Sequence, residues 1–249
     1  MQRYFIPKEQ LDASSCRVIG QDAHHISNVL RMQAGDCVLC SDGQGRTVQA
    51  RIMTITKDEI QCDIVHEMQQ QRELPISVTI AQGLPKGDKL EWILQKGTEL
   101  GAQQFIPFIS HRTIVKYDHK KEAKKQERWR KIIKEAAEQS HRDVLPQLQA
   151  VMPLKELLEV QADHKLVAYE DLSIQERSSA FYEGLKKIKP KESMIIAIGP
   201  EGGFEEQEIQ QLKEAGYQPV SLGKRILRTE TASQYVLAAI SFYFEQMGG

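Results

Sequence analysis

From Pro75 onward the chain alternates short apolar runs with longer amphipathic ones, and few folds accept that order. ISVTIAQG reads as a buried strand ending in glycine, and DKLEWILQKGTELG as a helix with Leu90, Ile93, Leu94 and Leu100 on its apolar face. QQFIPFIS is the next strand, followed by a long charged helix around Lys121–Ser140. HKLVAYE, SMIIAIG and GYQPVSLG read as three more strands, with helices over FEEQEIQQLKEAG and TASQYVLAAISFYF. Strands that are apolar without alternation must be covered on both faces, so an α/β fold is expected, with a mostly parallel sheet between helices. Ligands in such sheets bind beyond the carboxyl ends of the strands.

The residues before Pro75 have another texture. DCVLCSD, RTVQARIMTI and EIQCDIV are strand-like, and Gly43 and Gly45 mark a tight turn between the first two. AHHISNVLRM has helix-like spacing at Ile26, Val29, Leu30 and Met32. Together they predict a small β-barrel with one short helix over residues 1–72. The polar segment MQQQRELP serves as linker to a second domain over 73–249. Cys37 and Cys40 form C-x-x-C, but no second pair or suitably spaced histidine follows, so reduced thiols are expected and no metal. No run of eighteen apolar residues predicts a membrane-spanning helix. MQRYFIPKEQ lacks an apolar signal core, which points to an unexported, cytoplasmic chain.

Two glycine junctions lie at predicted strand ends. In IGPEGGF, Gly202 and Gly203 permit close backbone approach, while Pro200 stiffens the loop. The acidic FEEQE that follows suits a helix start but argues against phosphate there. The spacing fits neither G-x-G-x-x-G nor a P-loop, and alone it is equally a structural strand-to-helix turn. In LGKRILRTETA, Gly223 ends a strand, and Arg225 and Arg228 flank an apolar pair. Thr229 or Thr231 then stands as helix cap, with Glu230 in the same turn. Backbone groups from two such loops suit an adenine or a ribose.

Formal net charge is −1, so a nucleic-acid partner must be held by a local patch. Between His111 and Lys134 stand ten lysines and arginines against Asp118, Glu122 and Glu127, a one-signed excess that favours a phosphate-binding surface over a merely solvated face. The excess includes Lys116, Lys120 and Lys121. Arg3, Lys8, Arg17 and Arg31 extend it in the small domain.

GDKLEWILQKGTELG, ERWRKIIKEAAEQSHR, IGPEGGFEEQEI and LGKRILRTETA, in that order, resemble motifs of the bacterial 16S rRNA uridine-N3 methyltransferases, the RsmE family of the SPOUT class. The resemblance covers essentially the whole chain. It implies a trefoil-knotted α/β domain preceded by a PUA-like RNA-binding barrel, a homodimer, and S-adenosylmethionine as cofactor. The implied cofactor loops are Tyr169 at the end of the KLVAYE strand; Gly199, Pro200, Glu201, Gly202 and Gly203; and Leu222, Gly223, Arg225, Ile226 and Leu227. The implied product is N3-methyluridine in the decoding region of 16S rRNA, within the small ribosomal subunit.

Uracil N3 carries a proton at neutral pH, so methylation must remove it and align N3 with the donor methyl. Arg228 is the candidate that stabilises the uridylate anion, with phosphate or carboxylate anchoring as its other reading. Glu201 and Glu230 are candidate proton acceptors, although loop carboxylates also cap helices and bind ribose; direct loss of the proton to water stays open. Arg3, Arg17, His25 and Arg31 are candidate RNA contacts in the first domain, and Arg112, Lys124, Lys125 and Lys131 in the second. His25 has capping or packing as its alternative. A tRNA methyltransferase of the same class and a non-enzymatic RNA-binding module are the competing functions.

Overall fold

The structure is a computed structural model that describes residues 1–69, 72–114, 122–170 and 180–248. The chain divides into two units: Met1–Glu73 with Ala137–Leu145, and Leu74–Ala136 with Pro146–Gly249.

In the first unit, β1 (Arg3–Phe5), β2 (Ser15–Ile19), β3 (Cys37–Ser41), β4 (Thr47–Ile55) and β5 (Glu59–Glu67) form one sheet in the order β1-β3-β4-β5-β2. Alternate residues of β4 and β5, among them Val48, Ala50, Ile52, Ile60 and Cys62, point into a core closed by Tyr4, Val18 and Val38. The strands β1 and β2, too short or too mixed in pattern to stand out in the sequence, complete the sheet. AHHISNVLRM is not one regular helix: α1 (Gly20–His24) passes into a π-type turn, His25–Val29, that buries Ile26. Cys16, Cys40 and Cys62 are buried free thiols and Cys37 is a half-buried one. Among the described residues no cluster of His, Cys, Asp or Glu is arranged to hold a metal.

Ala137–Leu145, assigned from the sequence to the second domain, packs in this first unit. It corrects one site expectation. Arg3 is fully buried, bonded to the Arg142 carbonyl and 2.9 Å from Asp143 Oδ1, so it offers nothing to RNA. Glu73 likewise ties the chain down rather than loosening it: it pairs with Arg142 and accepts the N–H groups of Asp143 and Val144 at 3.0 and 3.1 Å.

The second unit holds a parallel sheet of β6 (Ser77–Gly83), β7 (Gln104–Ile109), β8 (Gln147–Leu148), β9 (Met152–Pro153), β10 (His164–Ala168), β11 (Ser193–Ile198) and β12 (Gln218–Val220). The order is β12-β10-β11-β6-β7-β8, with β9 also beside β7. β11 is thus inserted between β6 and the earlier β10. Every residue of β11 after Ser193 is buried, as its unbroken apolar run requires. Its helices are α2 (Lys89–Glu99), α3 (Glu122–Gln139, whose last turn enters the first unit), α4 (Leu154–Leu157), α5 (Ala180–Leu185), α6 (Glu206–Glu214) and α7 (Thr229–Ser241). α2 packs on α7 through faces that bury Leu90, Ile93 and Leu94 on one side and Val236, Leu237 and Ile240 on the other. Among the described residues no helix is long and apolar enough to cross a membrane.

Candidate active site

Parallel strands deliver their carboxyl ends to one edge, and the chain leaves β10, β11 and β12 there through Tyr169, Gly199 and Ser221. These three exits surround a cavity of roughly 440 Å3, within the size range of small-molecule sites, about 300–1,000 Å3. Gly199–Gly203 lines the cavity together with Tyr169 and with Leu222, Gly223, Arg225, Ile226, Leu227 and Arg228. All the cofactor-loop residues expected from the sequence therefore meet in one place. The Tyr169 N–H donates to the Val220 carbonyl at 3.0 Å, which fixes the ends of β10 and β12 together.

Two glycines make this packing possible. A β-carbon on Gly83, at the end of β6, would lie 2.6 Å from Pro200 Cδ, so only glycine lets the Gly199–Gly203 loop lie across the strand. Gly223 has φ +116°, outside the range of ordinary side-chain-bearing residues. The sequence marked Gly223 as part of a glycine junction, but Gly83 only as the end of a strand. Also unforeseen is Gln82, buried beneath the loops. Its Nε2 donates to Thr229 Oγ1 at 2.7 Å, and Thr229 Oγ1 donates to the Gly199 carbonyl at 2.6 Å. Thr229 thus secures the Gly199–Gly203 loop rather than capping α7. The N-cap position belongs to Arg228, which makes no side-chain cap bond.

Charge at the site is arranged around Lys89. Its Nζ lies 2.9 Å from Glu201 Oε1 and 3.4 Å from Glu230 Oε2, and the Lys86 N–H reaches Glu201 Oε1 at 3.1 Å. Burial acts to raise the Glu201 pKa. The hydrogen bonds from Lys89 and from backbone N–H groups outweigh it and hold the carboxyl below its ordinary value. Glu230 does not line the cavity. Arg228 does. It is exposed, and its side chain makes no hydrogen bond or ion pair among the described residues.

The basic residues divide. Arg112 belongs to the cavity, where its Nη1 donates to the Gly202 carbonyl at 3.1 Å. Beside it, Glu208 Oε1 accepts the His111 N–H at 2.8 Å and its other oxygen accepts the Glu205 N–H at 2.9 Å, joining the end of β7 to the start of α6. Lys124 and Lys131 are exposed on α3, Lys131 with Glu135 at 3.8 Å, and Lys125 is half-buried there. Lys116, Lys120 and Lys121 lie outside the described residues. In the first unit Arg17 and Arg31 are exposed, and His25 is half-buried with Nδ1 3.0 Å from the Tyr4 hydroxyl.

This arrangement has relatives. Residues 72–241 match an RNA methyltransferase domain, and residues 18–65 an RNA methyltransferase PUA domain. A ribosomal RNA small subunit methyltransferase E of Bacillus subtilis is 46% identical over 100% of this chain and 99% of its own. One from Synechocystis is 35% identical, over 98% of this chain and 78% of its own. The crystal structure of a ribosomal RNA small subunit methyltransferase E from Neisseria gonorrhoeae, bound to S-adenosyl methionine, superposes with a TM-score of 0.83 at 32% identity, covering 97% of each chain. With its parallel-sheet domain, its PUA-like domain and relatives aligned nearly end to end, the chain belongs to the ribosomal RNA small subunit methyltransferase E family of RNA methyltransferases.

Proposed function

We propose that the protein transfers a methyl group from S-adenosylmethionine to N3 of a uridine in the decoding region of 16S rRNA. The observation that carries this reading is the convergence of both glycine loops and Arg228 on one cavity in a chain of this family. The residues present fit the cofactor: the walls offer backbone donors and acceptors, the apolar Ile226 and Leu227, and a volume suited to a nucleoside. When bound, S-adenosylmethionine supplies a sulfonium-activated methyl group. Arg228, open at the cavity, stabilises the uridylate formed as N3 loses its proton. Glu201 and Glu230 are both drawn to Lys89, so they act as scaffold, and the N3 proton leaves to water. The methyl carbon–sulfur bond would break as the methyl–N3 bond forms, and the neutral thioether S-adenosylhomocysteine would leave.

The finer reading includes a homodimer, a trefoil knot in the second unit, and action on the small ribosomal subunit in the cytoplasm. Trp92, Tyr235 and Phe242, exposed by 49, 42 and 59%, support the dimer as an apolar surface on α2 and around the end of α7. The exposed lysines of α3, with Arg17 and Arg31, support an RNA footprint.

Labelled S-adenosylmethionine incubated with small subunits, naked 16S rRNA or tRNA tests the whole proposal. Label should appear as N3-methyluridine in 16S rRNA. Incorporation into tRNA alone, or at another atom, overturns it. Sedimentation of a monomer at micromolar concentration overturns the dimer.

A further inference from the structure

We propose that Lys89 is a positioning residue for the cofactor loop, acting through Glu201. Lys89 is the first residue of α2, where a cation opposes the positive end of the helix dipole, so its placement needs a compensating partner. It has two. Its ammonium bonds Glu201 at 2.9 Å and approaches Glu230, at the start of α7, at 3.4 Å. Glu201 is the middle residue of the Gly199–Gly203 wall. The same carboxylate takes the Lys86 N–H, so side chain and backbone of the β6–α2 junction grip one point of the loop.

Arg112 grips the loop from the β7 end through the Gly202 carbonyl. Below, the Gly83–Pro200 contact leaves no slack. The loop is thus held against three elements. Its backbone forms a wall of the cavity, and a wall placed before binding lowers the ordering cost of the ligand's contacts. Lys89 itself need not touch the reacting atoms.

The inference rests on S-adenosylmethionine occupying this cavity. The test is calorimetric binding of S-adenosylmethionine to the full-length wild type, Lys89→Met, Lys89→Arg, Glu201→Gln and the Lys89→Met/Glu201→Gln double variant. Each neutralising single change should weaken binding about five- to tenfold. The double variant should be no weaker than the worse single one. Lys89→Arg should recover most of the affinity. In turnover, the Lys89→Met loss should appear in KM for S-adenosylmethionine rather than in kcat. Multiplied losses in the double variant, unchanged affinity in either single variant, or a loss confined to kcat overturns the role. Absence of binding by the wild type overturns instead the assignment of the cofactor.

Discussion

Both units gather arginines and carboxylates, but they treat them in opposite ways. In the first unit Arg3 is buried against Asp143, and Arg142 against a Glu73 that also serves two backbone N–H groups. At the cavity of the second unit, Arg225 and Arg228 stand exposed, their side chains without hydrogen bond or ion pair among the described residues. An arginine carries five donors. Where the fold uses them, the residue is part of the scaffold; where it leaves them open at a cavity, they can meet a ligand. Between these extremes lies Arg128, exposed on α3 yet bonded to Glu91 at 2.6 Å. Charge by itself does not separate binding residues from structural ones.

Substitutions that break this contrast should differ in kind as well as size. The largest effect is expected from Arg3→Ala, which leaves Asp143 buried without its ion-pair partner and should cost about 3–5 kcal/mol in denaturant unfolding. RNA affinity at temperatures where the variant is folded should stay unchanged. A stable variant with weakened RNA binding would return Arg3 to the interface. Arg228→Ala should leave stability and RNA affinity intact while single-turnover methylation slows about 10²–10³-fold, equivalent to about 2.7–4 kcal/mol. Raising the pH should restore part of that rate by supplying more N3 anion. If the variant instead loses RNA or cofactor affinity with its saturated rate intact at every pH, Arg228 is an anchor.

Gly223→Val forces a branched side chain to φ +116° and should weaken S-adenosylmethionine binding by about 1–3 kcal/mol, read by calorimetry on the folded variant. Wild-type affinity there would remove this loop from the cofactor site. The smallest effect per residue is expected on α3. Replacing Lys124, Lys125 and Lys131 with alanine should make the salt dependence of RNA binding shallower by up to about 0.7–0.9 per lost contact, with little change in the saturated rate. An unchanged salt slope would mark that face as solvated only.

The second unit was legible because its long strands are apolar without interruption and its glycine junctions fall at their ends. The two-residue strands β8 and β9 carry no periodicity to detect. The site was legible as loops and not as a network. Gly202, Gly203 and Gly223 stand out in sequence, whereas Gln82 gains its role only when Thr229 folds over it. Arg3 was misread for the same reason. Three residues from the start of the chain, a charge looks like surface until Asp143, distant in sequence, arrives beside it. Patterns of three or four residues report local structure; pairings across the chain leave no such trace.

The segment Ala137–Leu145 also has a consequence for synthesis. Chains emerge from the ribosome at about 5–20 residues per second, with amino-terminal domains usually folding first. Here the amino-terminal sheet cannot complete its buried ion pairs when residue 73 appears, because Asp143 and Arg142 have not yet been made. Arg3 must wait in water, or in a loosened sheet, while β6, α2, β7 and all of α3 are translated. A fragment ending at residue 73 should therefore be less stable than the same unit within the whole chain, and adding a peptide spanning 137–145 should recover part of the difference.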